Sequence, residues 1–250
     1  MSVEKFVIEI ATTDYESTKA AVAGGADRIE LCTALSEGGI TPSMGLIKQC
    51  RSDFAVALFP IIRPRSGDFL YTEAEFEIIK QDAQLCKETG CDGVVIGFLN
   101  SDGTINKKRT AEIVDLVYPL EVTFHRAFDR CRDPFEAMEV LIETGCQRIL
   151  TSGLQPVATQ GMALLKSLVQ KAADRIIIMP GSGVRAENIK EVAAQTGAVE
   201  FHSSLKTKAA SKMLYRQPAF AQSEESYTHT TVQSKDVVQL RRALTEAFNS

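Results

Sequence analysis

No stretch of this sequence reaches the roughly 18 consecutive apolar residues that a membrane helix needs. The first ten residues carry Glu4, Lys5 and Glu9 and hold no apolar core of signal-peptide length. A soluble, cytoplasmic protein without a membrane partner is therefore expected. No basic run or stripe stands out, and the formal net charge is −4, so no nucleic-acid partner is expected. The six cysteines, Cys32, Cys50, Cys86, Cys91, Cys131 and Cys146, include no C-x-x-C pair. Scattered in this way in a reducing compartment they read as free, buried thiols, and a structural zinc cluster is not expected. Histidine is scarce, with three in the chain, too few for a hydrolase-type centre of several His and carboxylate ligands.

What is present is an ordinary globular composition: 250 residues, 44% hydrophobic and 24% charged. That supplies ample apolar side chains for a full core. Four segments resemble one another, beginning at Gly25, Gly90, Gly145 and Gly197. Each follows a helical pattern and leads into an apolar run, as in Gly25-Ala26-Asp27-Arg28-Ile29-Glu30-Leu31 and Gly145-Cys146-Gln147-Arg148-Ile149-Leu150-Thr151. A glycine just past a helix supplies the left-handed residue that ends it. The spacing is about that of two βα units of about 30 residues each. Further strands are expected at Phe6–Ile10, Val56–Ile62, Leu120–His125 and Ile176–Met179. Helical periodicity marks Thr72–Lys87, Pro134–Glu143, Thr159–Gln170 and Arg185–Gln195. Alternation of strand and helix gives a parallel sheet. Eight such strands predict a single α/β domain over residues 1–250, a (β/α)₈ TIM barrel. An open doubly wound sheet would want a glycine-rich first βα turn, and here that turn is Ala11-Thr12-Thr13-Asp14. Residues 205–234 break the rhythm. Rich in Ser, Thr, Lys and Gln, they read equally as a loop over the active face or as a solvated loop, before a last helix around Lys235–Phe248.

Barrel enzymes place their sites at the C-terminal ends of the strands, and polar residues gather there in this sequence. Period-2 alternation turns Ile8 and Ile10 toward the helices and Glu9 inward; it likewise turns Glu30 and Cys32 inward. Carboxylates inside a barrel need compensation, and Arg63 and His125 are the natural partners. Strand 3 ends in Arg63-Pro64-Arg65-Ser66-Gly67-Asp68, strand 5 in His125-Arg126-Ala127-Phe128-Asp129, and strand 6 in Thr151-Ser152-Gly153. Glu9, Glu30, Arg63, His125 and Asp129 are the candidate catalytic set. Arg65, Asp68, Arg126, Ser152, Gly181, Ser182, Gly183, His202, Ser203 and Ser204 are candidate ligand contacts. Gly181-Ser182-Gly183 and Ser203-Ser204, after strands 7 and 8, have the residue types of an anion site.

These motifs resemble those of the CutC family. The carriers are Glu30-Leu31-Cys32; Glu37-Gly38-Gly39 with Thr41-Pro42-Ser43; Pro60-Ile61-Ile62-Arg63-Pro64-Arg65 with Gly67-Asp68-Phe69; Thr123 to Asp129; Leu150-Thr151-Ser152-Gly153; Met179 to Val184; and Phe201-His202-Ser203-Ser204. The resemblance spans nearly the whole chain. It implies a cytoplasmic barrel, a homodimer or higher homo-oligomer, and a role in copper homeostasis through copper binding or tolerance. In the family pattern a cysteine two residues past the strand-1 glutamate joins the one matching Cys32 in a Cu(I) pair. Here that first position is Ala11, so a two-thiolate site cannot form there, and Cys32 is left as the candidate copper ligand, with His125, His202 or Met179 as helpers.

Two functions are thus expected from the sequence. One is copper handling, with copper as the cofactor or cargo. The other is an enzyme acting on a small phosphorylated or carboxylated metabolite, with His125 as general acid or base, Glu30 or Glu9 as the second proton-transfer group, and Arg63 stabilising negative charge.

Overall fold

A computed structural model of the chain describes residues 6–222 and 227–249. Among the described residues, eight parallel strands alternate with eight helices in a (β/α)₈ barrel. The strands are β1 (Val7–Thr12), β2 (Arg28–Leu31), β3 (Ala57–Pro60), β4 (Gly93–Ile96), β5 (Glu121–Phe124), β6 (Arg148–Thr151), β7 (Ile177–Pro180) and β8 (Glu200–Ser203). The helices are α1 (Tyr15–Ala23), α2 (Met44–Asp53), α3 (Glu73–Glu88), α4 (Lys107–Val117), α5 (Pro134–Glu143), α6 (Met162–Ala172), α7 (Ile189–Thr196) and α8 (Ser234–Phe248). Two four-stranded runs, β3-β2-β1-β8 and β4-β5-β6-β7, form the wall. A parallel bridge between Ile61 and Val95 joins β3 to β4, and β7 lies beside β8.

Local sequence explains the punctuation. All four expected helix-stop glycines, Gly25, Gly90, Gly145 and Gly197, have positive φ, between 73° and 91°. Thr72 and Glu75 form a capping box at the start of α3. Asp133 caps α5, with Pro134 in its first turn. The apolar face expected on α3, Phe76, Ile79, Ala83 and Cys86, is buried against the barrel. Observed boundaries shift by a few residues, most at α7, which starts at Ile189 because Ala186–Asn188 form a turn.

The barrel interior is charged at its base. Arg28 Nε lies 2.5 Å from Glu9 Oε2 and its Nη2 2.5 Å from Glu200 Oε2. Arg148 approaches the same Glu200 oxygen at 3.1 Å and Glu121 at 2.8 Å. Both guanidinium groups lie over the Phe59 ring, at 5.2 and 5.3 Å from its centroid. Arg28, Arg148, Glu9 and Glu200 are each less than 8% exposed. Their charges balance two against two, which lets them share a desolvated interior.

The expected loop over 205–234 contains a ribbon among its described residues. β9 (Thr207–Ala210) and β10 (Thr228–Thr231) pair as an antiparallel ladder. Its return strand is tied to the start of α1, where Ser17 Oγ accepts from the Val232 amide at 3.3 Å. No described helix is long and apolar enough to cross a membrane.

Candidate active site in the barrel mouth

A cavity of about 1000 Å³ opens at the C-terminal ends of the strands. Glu30, Arg63, His125, His202, Ser204 and Lys206 are among its walls. The β1–β8 register sets Glu9 opposite His202, and His202 Nδ1 lies 2.7 Å from Glu9 Oε1. His202 Nε2 lies 3.9 Å from Glu30 Oε2. Glu9 is wholly buried and does not itself form part of the cavity wall. Its partners are Arg28 and His202, not the Arg63 and His125 expected from the sequence. Arg28 is the functional neighbour that the sequence reading passed over. The alternation that turns Glu30 inward turns Arg28 inward as well.

These contacts divide the two carboxylates. Burial pushes Glu9 up, but Arg28 and His202 outweigh it and hold the group at about 2. Burial raises Glu30 to about 7; His202 pulls against it, while the Glu9 charge adds to the rise. Burial disfavours the His202 cation, yet Glu30 and Glu9 together raise its pKa above the ordinary histidine value. Glu30 and His202 thus face each other on one wall of the cavity, both with raised pKa, beside a Glu9 that is held ionised.

The opposite wall has a different chemistry. Arg63 is 4% exposed and contacts no carboxylate among the described residues. Its Nη1 donates to the carbonyls of Glu37 (2.8 Å) and Gly39 (2.9 Å), and its Nη2 to that of Gly67 (2.9 Å). Thr41 Oγ1 accepts from the Arg63 amide at 2.9 Å. The carbonyls of Glu37, Gly39 and Gly67 thus clamp this guanidinium, Thr41 holds the Arg63 backbone, and the Arg63 Nε is buried without a hydrogen-bond partner. Phe69 lies against both Arg63 and His125, at 5.0 Å from each. A methyl group at Gly97 would come within 2.1 Å of His125 Cε1, so glycine there is what admits the ring. His125 Nδ1 accepts from the Ala127 amide at 3.0 Å, which places the ring proton on Nε2, and that Nε2 is buried without a partner. Burial, reinforced by Arg63, lowers the His125 pKa to about 3. The ring is neutral throughout the physiological range, so the expectation that it titrates near neutrality as a general acid or base is corrected. Burial beside a cation removed the solvation that an imidazolium needs.

The third side of the mouth is built by the ends of β7 and β8. Ser182 and Gly183 are successive left-handed residues, with φ 72° and 74°. The amides of Ser182, Gly183 and Val184 find no acceptor among the described residues. Arg185, Ser203, Ser204 and Lys206 complete this side. The Ser203 hydroxyl is already committed, donating to the Val184 carbonyl at 2.6 Å.

Several expected site residues lie elsewhere. Asp129 is not in the cavity wall. Its carboxylate accepts from Thr151 Oγ1 (2.5 Å), the Ser152 amide and hydroxyl (3.0 and 2.9 Å), the Leu154 amide (3.2 Å) and Arg126 Nε (2.7 Å). It braces the end of β5 against the end of β6, and Ser152 belongs to that brace, not to a ligand site. Arg126 reaches the cavity rim but is held by the same two residues. Arg65 is turned to Glu75 (2.5 Å) and Asp68 (2.9 Å) and shapes the 65–70 loop; of that pair only Asp68 faces the cavity. Gly181 gives space instead of contact: a methyl there would fall 2.4 Å from Leu150 and 3.3 Å from His202.

Cys32 is fully buried, donates to the Thr12 carbonyl at 3.5 Å, and packs with Phe59, Ile61 and Val95. Burial, and then the Glu30 charge, push its thiol far above the ordinary value. The helpers are committed: His202 to Glu9, and Met179 Sδ to Arg28 at 3.2 Å. A Cu(I) site does not fit this position, because Cu(I) wants several soft ligands, and this sulfur is walled in by Phe59, Ile61 and Val95 and belongs to no group of three candidate ligand side chains among the described residues. Among the described residues, the one group of three His, Cys, Asp or Glu side chains close enough to share an ion is Glu9, Glu30 and His202. That nitrogen and oxygen set is not a soft Cu(I) set, and Glu9 within it already has Arg28.

Fold and mouth define a (β/α)₈ barrel with an open cavity at its mouth, lined by both charged and apolar side chains. The chain belongs to the CutC family, whose family model matches residues 6–207. A CutC family protein of Parabacteroides distasonis is 51% identical over 213 residues, covering 85% of this chain and 88% of the relative. The human copper homeostasis protein cutC homolog is 41% identical over 237 residues, covering 94% and 87%. A solved Streptococcus agalactiae CutC structure matches with a TM-score of 0.76 at 30% identity, covering 80% of this chain and 98% of that one. More distant barrels, such as Pyrococcus furiosus phosphoribosylanthranilate isomerase (TM-score 0.58, 13% identity), share the fold alone.

Proposed function

We propose that this CutC barrel is an acid–base enzyme acting on a small phosphorylated or carboxylated metabolite held in the mouth. The observation that carries the reading is Arg63. It is a buried guanidinium with no carboxylate partner among the described residues, facing the same cavity as Glu30, a carboxyl raised to about 7. A buried cation fixed by backbone carbonyls is positioned for an anion that arrives from outside. Perturbed titrating groups in a cleft are the usual mark of proton-transfer chemistry. The free amides of residues 182–184, with Arg185 and Lys206, support a second contact for the anion, of the kind used for phosphate.

The relatives' names support a part in copper homeostasis. We assign that part to the reaction at the mouth, and not to a copper site at the walled-in Cys32. Six free, buried cysteines support a cytoplasmic setting, and the family resemblance supports a homo-oligomer.

Calorimetric titration with inorganic phosphate and a panel of small phosphorylated and carboxylated compounds tests the reading. Binding is expected in the wild type and weakened at least about tenfold in Arg63→Gln, the scale of one charge-assisted hydrogen bond. A panel without a binder, or affinities unchanged in Arg63→Gln, would overturn it.

A further inference from the structure

The C-terminal end of α3 brings two cysteines together. Cys86 is the third-last residue of the helix, and Cys91 is the second residue past its cap, Thr89. The Cys91 amide donates to the Cys86 carbonyl at 3.1 Å, and the Gly90 amide to the Lys87 carbonyl at 3.0 Å. Gly90 between them is left-handed, with φ 78°. A helix stop of this kind folds the chain back so that the side chains at those two positions meet. The pair is commonly apolar; in this chain both members are thiols. They are hydrogen-bonded to each other, with Cys86 as donor and Cys91 as acceptor. The backbone bond between the two residues keeps their Cα atoms within about the 4.4–6.8 Å that a disulfide spans. None of the other four cysteines has a second cysteine as hydrogen-bond partner among the described residues.

Position also sets reactivity. Cys86 is fully buried and Cys91 is 3% exposed, but Cys91 stands between two exposed residues, Gly90 and Asp92. The hydrogen bond from Cys86, and then the charge of Arg51, outweigh burial and hold the Cys91 thiol below the ordinary cysteine value. The other five thiols are all raised above it. The thiolate is the nucleophile in sulfur chemistry, so Cys91 is the member that attacks and Cys86 the member that resolves.

We propose that Cys86 and Cys91 are an oxidation site, a dithiol that a hydroperoxide converts to an intramolecular disulfide. In the first step the Cys91 thiolate attacks one peroxide oxygen. The O–O bond breaks, a sulfenic acid is left on Cys91, and the departing oxygen leaves as water. In the second step Cys86 gives up its proton and its sulfur attacks the Cys91 sulfur. The S–O bond breaks and a second water leaves. The two thiols lose two electrons and two protons, and the hydroperoxide gains them. A small thiol in excess reverses the bridge by exchange. This site goes beyond the function proposed above and is independent of it. Cys91 precedes β4, at the opposite end of the strands from the mouth, and neither cysteine lines the cavity.

Peptide mapping of the native protein tests the assignment. The reduced wild type is treated with equimolar hydrogen peroxide, alkylated in denaturant and cut with trypsin. Trypsin cleaves after Lys87, between the two cysteines, so the bridge leaves peptides 81–87 and 88–107 joined. The joined pair is expected to appear at least about tenfold faster than any other thiol is lost, the scale of a difference in thiolate fraction. Dithiothreitol is expected to return both free thiols. In Cys86→Ser the bridge cannot close, and Cys91 is expected to be trapped as a sulfenic acid by dimedone. In Cys91→Ser, Cys86 is expected to stay alkylatable. Loss spread evenly over the six thiols, or a joined pair containing any other cysteine, would overturn the proposal. So would a wild type in which Cys86 and Cys91 stay free while peroxide is consumed elsewhere.

Discussion

Replacing Glu30 by glutamine changes no shape and removes one ionisation, so its effect on stability is a measure of the charge placed in the mouth. The carboxyl moves from an ordinary 4.5 to about 7. That displacement corresponds to about 3 kcal/mol between the two protonation states. Between pH 4.5 and 7 the native state holds a proton that the unfolded chain has released, so stability falls as the pH rises through that window. His202, raised above its unfolded value, contributes stability below about pH 6.5 that is lost as the pH rises, so it acts with the same sign. Glu9, held at about 2, contributes stability above 4.5 that is lost only in more acid solution, outside the window. At pH 5 Glu30 is protonated and glutamine imitates it. At pH 8 wild type carries the full ionisation and the variant does not. Urea unfolding is therefore expected to give Glu30→Gln a stability about 1 kcal/mol above wild type at pH 5, and about 3 kcal/mol above it at pH 8. The figure at pH 8 is reduced by the lost attraction between Glu30 and protonated His202. An equal displacement at both pH values would refute the reasoning, since the carboxyl would then have no raised pKa to relieve. A variant less stable than wild type at pH 8 would show that Glu30 is bound to a cation and not poised for proton transfer.

The base of the barrel makes a second prediction. Arg28→Met strips Glu9 and Glu200 of a shared partner and is expected to cost about 3–5 kcal/mol, read as a fall of about 10 °C in Tm; Glu9→Gln and Glu200→Gln added together should recover most of it, and a loss under about 1 kcal/mol would show that the network holds little. Copper gives a third. Anaerobic Cu(I) titration of Cys32→Ser is expected to match wild type, because the Cys32 sulfur is buried among Phe59, Ile61 and Val95 and shares no candidate ligand group with other side chains among the described residues; loss of one tight equivalent in the variant would restore Cys32 as a ligand.

The sequence by itself determined the barrel, the direction of its strands and the end at which the cavity opens. Those features are local and periodic: a glycine after each of four helices, apolar runs between them, and alternation that turns Glu9, Glu30 and Arg28 to one side of a strand. That residues after β7 and β8 reach the cavity was legible from Gly181-Ser182-Gly183 and Ser203-Ser204 for the same reason, although the Ser182 and Ser203 hydroxyls are tied to backbone carbonyls and the amides of residues 182–184 are left free. Only the tertiary structure decided who pairs with whom. Alternation tells that a side chain points inward but not which strand it meets across the barrel, and that depends on register. So Glu9 meets Arg28 and His202, Arg63 is clamped by the 37–41 loop and left without a counter-ion, and Asp129, which reads as catalytic beside His125, is spent bracing β5 to β6. Protonation followed from these pairings. His125 and Glu30 have ordinary reference values in any sequence, and burial beside Arg63 in one case and beside Glu9 in the other moved them in opposite directions.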